Sequence, residues 1–513
     1  MDQLQRLTAG DIVHLAPELS LVIFAVILSL LDLALPRSFN RTWLGWLALV
    51  GLAVSAAFVI GDIAALNPAD AAQSVEPITL LGGSWRIDDY ANLFKLLFLG
   101  GTALVLFMSI GNIKDEDIPH RGEFFYLFLP ATIGAMVMAS SGDLITLFVG
   151  LELLSITSYV LVGMHKKRYV SNESAFKYVV MGGISSAIIL YGMSFLYGMS
   201  GSTKLVQINQ ALSDNYASFE PLIYVAFFML LAGFGFKIAA APFHMWAPDV
   251  YEGAPAPVTA YLAVISKAAG FAITFRVLYG IFGIGGLIQQ NIHTDALTAI
   301  SVVAAAAMIV GNAVALRQKN MKRLLAYSGV ANAGYLLVPI STHYGIVHLS
   351  NFSELFFYLI AYLFMNIGAV AVLMVVSNSG KNENISAFAG LYYRAPATAV
   401  AMVILLLSLA GLPVTGGFFG KLYIMLGTLQ MHQYWLAAVM IGTSVISFYY
   451  YFSVIRQMFL RSASEEMPIS RSLTSQITIW ICTAATLLTG FFPHVLLRFV
   501  ETIFSVQGDM FFK

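Results

Sequence analysis

"GFGFKIAAAPFHMWAPDVYEGAPAPV", Gly233 to Val258, follows an unbroken apolar run. A segment of this kind is bound for lipid, yet it carries Lys237 and interrupts its own backbone with Pro242, Pro248, Pro255 and Pro257. Proline removes a backbone donor and clashes with the preceding turn. Inside a bilayer such a break is tolerated only where protein or water, rather than hydrocarbon, satisfies the freed groups. The stretch therefore predicts an interior polar site within a membrane-spanning fold.

The rest of the chain agrees. Of 513 residues, 59% are hydrophobic and 11% charged, where soluble domains carry about a quarter charged residues. An all-α polytopic membrane protein is the expected class. Formal net charge is zero, so nothing points to nucleic acid as a partner. The single cysteine, Cys482, supports no disulfide framework, thiolate metal site or iron–sulfur cluster. Nine histidines are scattered singly, without the helical spacing of paired haem ligands, so no redox cofactor is expected on this chain. The start, "MDQLQRLTAGDIVHLAPELS", lacks the basic region and cleavage site of a secretory signal, and its first apolar segment is expected to stay as a transmembrane helix.

A span needs about 20 apolar residues. Fourteen candidates meet that criterion, from Leu15 to Leu35 at the start to Thr474 to Leu497 at the end. Cytoplasmic loops collect Lys and Arg. Threading the loops with the N-terminus outside places sixteen of them on one side, among them Arg37, Lys114, Lys166, Lys167, Arg168, Arg317, Lys319, Lys322, Arg323, Lys381 and Arg471. The other side receives five: Arg6, Arg86, Lys204, Arg498 and Lys513. That asymmetry predicts an even span count with both termini outside. The outer connection from Asp62 to Asp89, with "ITLLGGSWRIDDY", has room for a short hairpin. The twelfth span is interrupted like the seventh, here by "AGLPVTGGFFG" (Ala410 to Gly420), and paired Gly/Pro-interrupted spans point to an inverted-repeat transporter and to its ion sites.

Six basic residues fall inside spans: Lys95, Lys177, Lys237, Lys267, Arg276 and Lys421, joined by one acid, Glu152. A charge at mid-membrane costs roughly 3 kcal/mol on insertion scales. Lys95, Lys177 and Arg276 stand within a few residues of a span end, where snorkelling accounts for them as well as function does. Glu152 is too short to reach water from the centre of its run, and Lys237, Lys267 and Lys421 are deep. Burial favours the neutral form of both residue types, and a carboxylate neighbour restores the charged lysine. At 4 Å and an effective dielectric of ~20 that neighbour is worth ~4 kcal/mol, about the work of moving a proton through ~180 mV. A lysine whose partner can swing away is thus a switchable proton carrier, whereas a permanently paired one only fixes helix register. His244 either moves protons near the cytoplasmic mouth or caps the broken helix. Asp249 and Glu252 read as mouth or loop residues, and the run "FYYYF" (Phe448 to Phe452) as lipid-facing or interhelical packing.

At these residues the chain resembles a family, the antiporter-like subunits of respiratory complex I (NADH:quinone oxidoreductase), and among them the N type. The matching stretches are "FKIAAAPFHMWAPDVYEGAPAPV" followed by "SKAAGF" (Ser266 to Phe271), "LELLSITSYVLVG" (Leu151 to Gly163), "NESAFKYVVMGG" (Asn172 to Gly183), "MKRLLAYSGVANAGYLL" (Met321 to Leu337) and "GFFGKLYIM" (Gly417 to Met425). They run in family order over most of the chain. Only sixteen residues follow the last span, unlike the long lateral helix of L-type relatives, and Lys421 stands where M-type relatives usually carry glutamate.

The resemblance implies fourteen helices with two inverted five-helix repeats. Its divisions are helices 1–3 (residues 1–122), a first repeat of helices 4–8 (123–280), a second of helices 9–13 (281–462) and helix 14 (463–513). It implies that Glu152 pairs with Lys237, that Lys267 links two half-channels and that Lys421 is the outlet-side lysine. Many relatives carry histidine where this chain has Asn332, which leaves Tyr335, Tyr362 or Asn366 with water as the bridge; Lys177 and His244 stand nearer the mouth. The implied activity is proton translocation as part of an NADH:quinone oxidoreductase, a translocase of electron transport. NADH, FMN, iron–sulfur clusters and quinone would sit in partner subunits, and K-type and M-type membrane subunits would be the neighbours. The implied location is the bacterial cytoplasmic membrane or a thylakoid. The rival reading is a subunit of a multisubunit Mrp-type Na⁺/H⁺ antiporter.

Overall fold

The structure is a computed structural model that describes residues 9–36, 39–68, 77–113, 118–283, 285–342, 351–380, 382–462, 472–504 and 509. Of the basic residues used for topology, Arg6, Arg37, Lys114, Lys381, Arg471 and Lys513 lie outside the described residues.

Thirteen helices are long and apolar enough to cross a bilayer among the described residues, and a broken pair supplies the fourteenth crossing. In chain order the elements are α1 (Ala16–Ala34), α2 (Thr42–Leu66), α3 (Asp89–Ser109), α4 (Arg121–Ser140), α5 (Leu144–Val162), α6 (Tyr169–Ser200) and α7 (Tyr216–Lys237). They continue with α8 (Trp246–Gly253), α9 (Ala256–Phe282), α10 (Asn291–Ala315), α11 (Met321–Ser341), α12 (Asn351–Gly380) and α13 (Pro396–Ala410). Last come α14 (Gly416–Gln430), α15 (Tyr434–Leu460), α16 (Leu473–Phe491) and α17 (Pro493–Ile503). The connection from Asp62 to Asp89 holds the expected hairpin, β1 (Ile78–Leu80) antiparallel to β2 (Trp85–Ile87). The protein is an all-α polytopic membrane protein.

Helices α9, α11 and α12 are buried along nearly their whole length and form the centre. The peripheral helices turn large apolar side chains outward, Ile145, Val149, Phe176 and Val445 among them, as lipid contact requires. Two hairpins close in the same way. On α4 a Cβ at Gly134 would lie 2.5 Å from the amide nitrogen of Leu154 on α5, and on α10 a Cβ at Gly311 would lie 2.5 Å from that of Ala331 on α11. Small residues let membrane helices approach backbone to backbone, and these pairs occupy matching places in the two expected repeats.

Both interruptions fall where the prolines and glycines place them. Helix α7 ends at Lys237, Ala239 takes a left-handed φ of 56°, the Ala241–Pro242 peptide is cis, and α8 begins at Trp246. The carbonyl of Phe236 accepts from Ala239 N–H at 3.0 Å and from the Trp246 indole at 2.9 Å, and Ala240 N–H donates to Gly235 O at 2.8 Å. Between α13 and α14, Gly411 adopts φ 90° and its N–H returns to Leu407 O. A Cβ at Gly417 would sit 2.0 Å from Ser408 O, so the second half-helix reaches its place only with glycine there.

Snorkelling does not account for Lys95 or Arg276. Lys95 is fully buried and ion-paired to Glu18 at 2.8 Å, an acid inside the first span that the count of one intramembrane acid left out. Arg276 on α9 is 1% exposed and grips Asp88 with two bonds, of 2.9 and 2.8 Å. Arg86 joins at 2.8 Å, and Asp88 also caps α3 through Ala91 N–H at 2.7 Å. One long-range ion pair, one local one and a cap thus converge on a single buried carboxylate, whose charge they offset.

Candidate functional site

Lys237 ends α7, where the last carbonyls of a half-helix favour a cation. Its Nζ donates to Ser155 Oγ at 2.7 Å and lies 3.5 Å from Ser186 Oγ. Glu152 stands one turn before Ser155 on α5, half-buried, with Oε1 buried and without a hydrogen-bond partner. No direct Glu152–Lys237 ion pair forms within 4 Å among the described residues. The implied pair is therefore open in this structure, and Ser155 holds the lysine instead.

Lys267 is 3% exposed. It follows a π-helical turn, Leu262–Ser266, a feature that shifts helix register and is frequent at functional sites. Its Nζ donates to Gly329 O at 2.7 Å and lies 5.8 Å from the centroid of Tyr362, whose hydroxyl accepts from Asn366 at 3.0 Å. A Cβ on Gly329 would lie 2.9 Å from Nζ and 3.1 Å from the Tyr362 hydroxyl. Both are flexible ends, so Gly329→Ala should fold and push the amine off its carbonyl. Bonds to charged groups are worth about 1.5–3 kcal/mol, so partial loss should slow by roughly threefold or more a proton transfer through Lys267 of the kind the resemblance implies. The check is proton uptake per electron at unchanged subunit content.

Lys421 on α14 reaches back across the second break. Its Nζ donates to Leu409 O at 3.0 Å and Ala410 O at 3.2 Å, the end of α13, and lies 4.6 Å from the Tyr335 ring centroid. A cleft of about 220 Å³ opens beside it, lined by Gly411, Met425, Met440 and Ser444 among others. Polar side chains of α11, α12 and α15 form two hydrogen-bonded groups in this half of the fold. Tyr358 donates to Asn332, whose amide donates to Ser328 O at 2.8 Å, while Ser328 Oγ meets the Tyr451 hydroxyl at 2.5 Å. Tyr335 contacts Thr443 at 3.0 Å and accepts from Ser444 at 3.2 Å. Asn332 is thus bonded to Tyr358 and Ser328, and Ser328 in turn to Tyr451, three residues that the sequence reading did not name.

Three of those residues carried a readable signal. Ser155 is three positions after Glu152, Ser328 four before Asn332, and Tyr358 four before Tyr362, each on the same helix face. The run "FYYYF" divides: Tyr449 is 70% exposed, whereas Tyr450 and Tyr451 are buried and bonded to Asn312 and Ser328.

The residues expected at the mouth form an ionic network. Lys177 bonds Asp249 and Glu173, each at 2.8 Å, and Arg323 bonds Asp249 at 2.6 Å and Glu252 at 2.8 Å. Lys322 donates to Ala254 O and to Glu383, each at 2.8 Å. These bonds tie α8, beyond the first break, to α6 and α11. His244 lies inside the break with Nδ1 buried and without a partner, 6.1 Å from the ring of Tyr327. No group of acids, histidines and cysteines suited to a metal occurs among the described residues.

Residues 141–447 match the family of NADH:quinone oxidoreductase/Mrp antiporter transmembrane proteins. The chain is 52% identical to NADH-quinone oxidoreductase subunit N of Paenibacillus sp. (strain JDR-2), with 100% of both chains covered. A chain of respiratory complex I from Thermus thermophilus, solved with bound aureothin, superposes with a TM-score of 0.76 at 30% identity, covering 94% of this chain and 98% of that one. A chain of the Mrp complex from Dietzia sp. DQ12-45-1b superposes at 0.81 over 96% of each, at 19% identity, which speaks for the fold alone. By sequence and by fold, the chain is a member of the antiporter-like N-subunit family of NADH-quinone oxidoreductase.

Proposed function

We propose that the chain is the proton-translocating N subunit of a complex I-type machine. It moves protons along Glu152, Lys237, Lys267 and Lys421 while redox chemistry runs in partner subunits that hold NADH, FMN, iron–sulfur clusters and quinone. K-type and M-type membrane subunits are its neighbours. It lies in the bacterial cytoplasmic membrane with both termini outside, and residues 123–280 and 281–462 form its two repeats.

One observation carries this reading. Elsewhere in the fold buried cations are closed into ion pairs, Lys95 with Glu18 and Arg276 with Asp88. Lys237, Lys267 and Lys421 instead rest on hydroxyls and carbonyls. A carboxylate partner locks a lysine in its charged form, whereas neutral acceptors allow it to exist with or without the extra proton. A spacer needs closed pairs and a carrier needs open ones.

The family also includes Mrp-type antiporters, so the test must separate the two. Purification from native membranes should yield an NADH-oxidising assembly whose proteoliposomes take up protons on adding NADH and quinone. An assembly that lacks NADH oxidation and exchanges Na⁺ for protons would establish the rival.

A further inference from the structure

The sequence reading counted a single intramembrane acid, but α12 carries another in its first turn. Glu354 is 5% exposed. Its carboxylate lies against the backbone of α14: a Cβ on Gly427 would meet Oε2 at 2.9 Å and Oε1 at 3.0 Å. No side chain pairs with it among the described residues. A buried acid without a partner is costly, and the proposed route through Lys421 gives it a use.

Its position fits that use. Helix α12 begins at Asn351, three residues before Glu354, and α14 ends at Gln430, three residues after Gly427. Glu354 is thus within one turn of the membrane face where α12 starts and α14 stops. Lys421 precedes Gly427 by six positions on α14, about 9 Å along the helix axis and deeper in the membrane. In the topology proposed above that face is the outer one. Among the described residues, titratable groups near this layer include Tyr358, one turn further along α12, Tyr423, whose ring packs on Phe357 at 5.3 Å, and Glu501 of α17, whose charge reaches Tyr423.

We propose that Glu354 receives the proton that Lys421 gives up and releases it to the outer aqueous phase. The Lys421 N–H bond breaks and a Glu354 O–H bond forms, with water carrying the proton from one group to the other. The carboxylic acid then loses the proton to bulk water outside and returns to the carboxylate. The inference rests on the proton-carrier reading of Lys421, and the experiment keeps the two apart.

The whole complex is reconstituted into proteoliposomes with Glu354→Gln, Glu354→Asp, Lys421→Met and the double variant Glu354→Gln/Lys421→Met. Proton uptake per electron is measured alongside subunit content. The expected result is that Glu354→Gln assembles, falls to the level of Lys421→Met, and adds nothing to it in the double variant, since both lie on one path. Glu354→Asp, a poorer fit but still an acid, should recover most of the loss; a packing role predicts the reverse order, with Gln the better replacement. Should Glu354→Gln fail to assemble, Glu354→Met supplies the same readout, because apolar replacement of a buried charge is well tolerated. Loss in Lys421→Met with a wild-type ratio in the assembled Glu354 variant overturns the inference and leaves the carrier reading standing. A wild-type ratio in both overturns the carrier reading itself.

Discussion

Replacing Lys237 with methionine is expected to leave the complex assembled and to lower proton uptake per electron, with quinone reduction slowed about tenfold or more. The fold should tolerate the change. Methionine fills the volume of the lysine stem, and Ser155, which loses the ammonium, still donates to Leu151 O at 2.6 Å, so no buried hydroxyl is orphaned. Removing a buried charge relieves a desolvation cost instead of adding one. The functional loss has a different origin. Closed to 4 Å, a Glu152–Lys237 pair is worth ~4 kcal/mol at an effective dielectric of ~20; opened to ~7 Å it is worth ~2.4 kcal/mol. The difference, somewhat over 1.4 kcal/mol, corresponds to a tenfold change in how readily the amine holds its proton, and methionine abolishes it. Glu152→Gln keeps the shape and removes the same modulation from the other side, so it should fall in the same direction by less. Normal assembly with an unchanged proton-to-electron ratio in Lys237→Met would sink the carrier reading and leave a spacer.

What the sequence made legible follows from what hydropathy and backbone chemistry encode. The fourteen crossings come from apolar run length, and the two breaks from proline and glycine clusters around Lys237 and Lys421. The three deep lysines were visible because a charge in an apolar run stands out by itself. Partners were harder. Glu18 and Lys95 are 77 positions apart in the chain, and Arg276 and Asp88 are 188 apart, so nothing local announces either pair, and proximity to a span end passed for snorkelling. Glu354 escaped because it sits in a first helical turn, where an acid has an ordinary reason to be. The open state of Glu152 and Lys237 was equally beyond reach, since residue identity fixes which groups can pair and packing decides whether they do.

The second large effect concerns stability. Asp88→Ala is expected to lose about 4 kcal/mol, and Asp88→Asn about 3 kcal/mol. Removing one member of a buried ion pair typically costs about 3–5 kcal/mol, and here one carboxylate serves both Arg276 and Arg86. Asp509 contributes further negative charge to the cluster, which places the electrostatic loss at the lower end of that range. The Ala91 cap accounts for the remainder, since aspartate to alanine at an N-cap costs about 1 kcal/mol while asparagine can still accept the bond. The sign of the pH dependence follows. Burial works against the Asp88 charge, but Arg276 and then Arg86 outweigh it and hold its carboxyl below the usual range. A group whose folded value is depressed contributes stability above its unfolded value, near pH 4, and loses it as pH falls through the folded value. Wild type should therefore keep the full contribution at neutral pH, and the gap to Asp88→Asn should narrow only in acid. Thermal unfolding of the purified complex, followed by release of this subunit from neutral pH to below pH 4, measures both. A gap that is already absent at pH 7 would mean that the cluster does not hold α3 to α9.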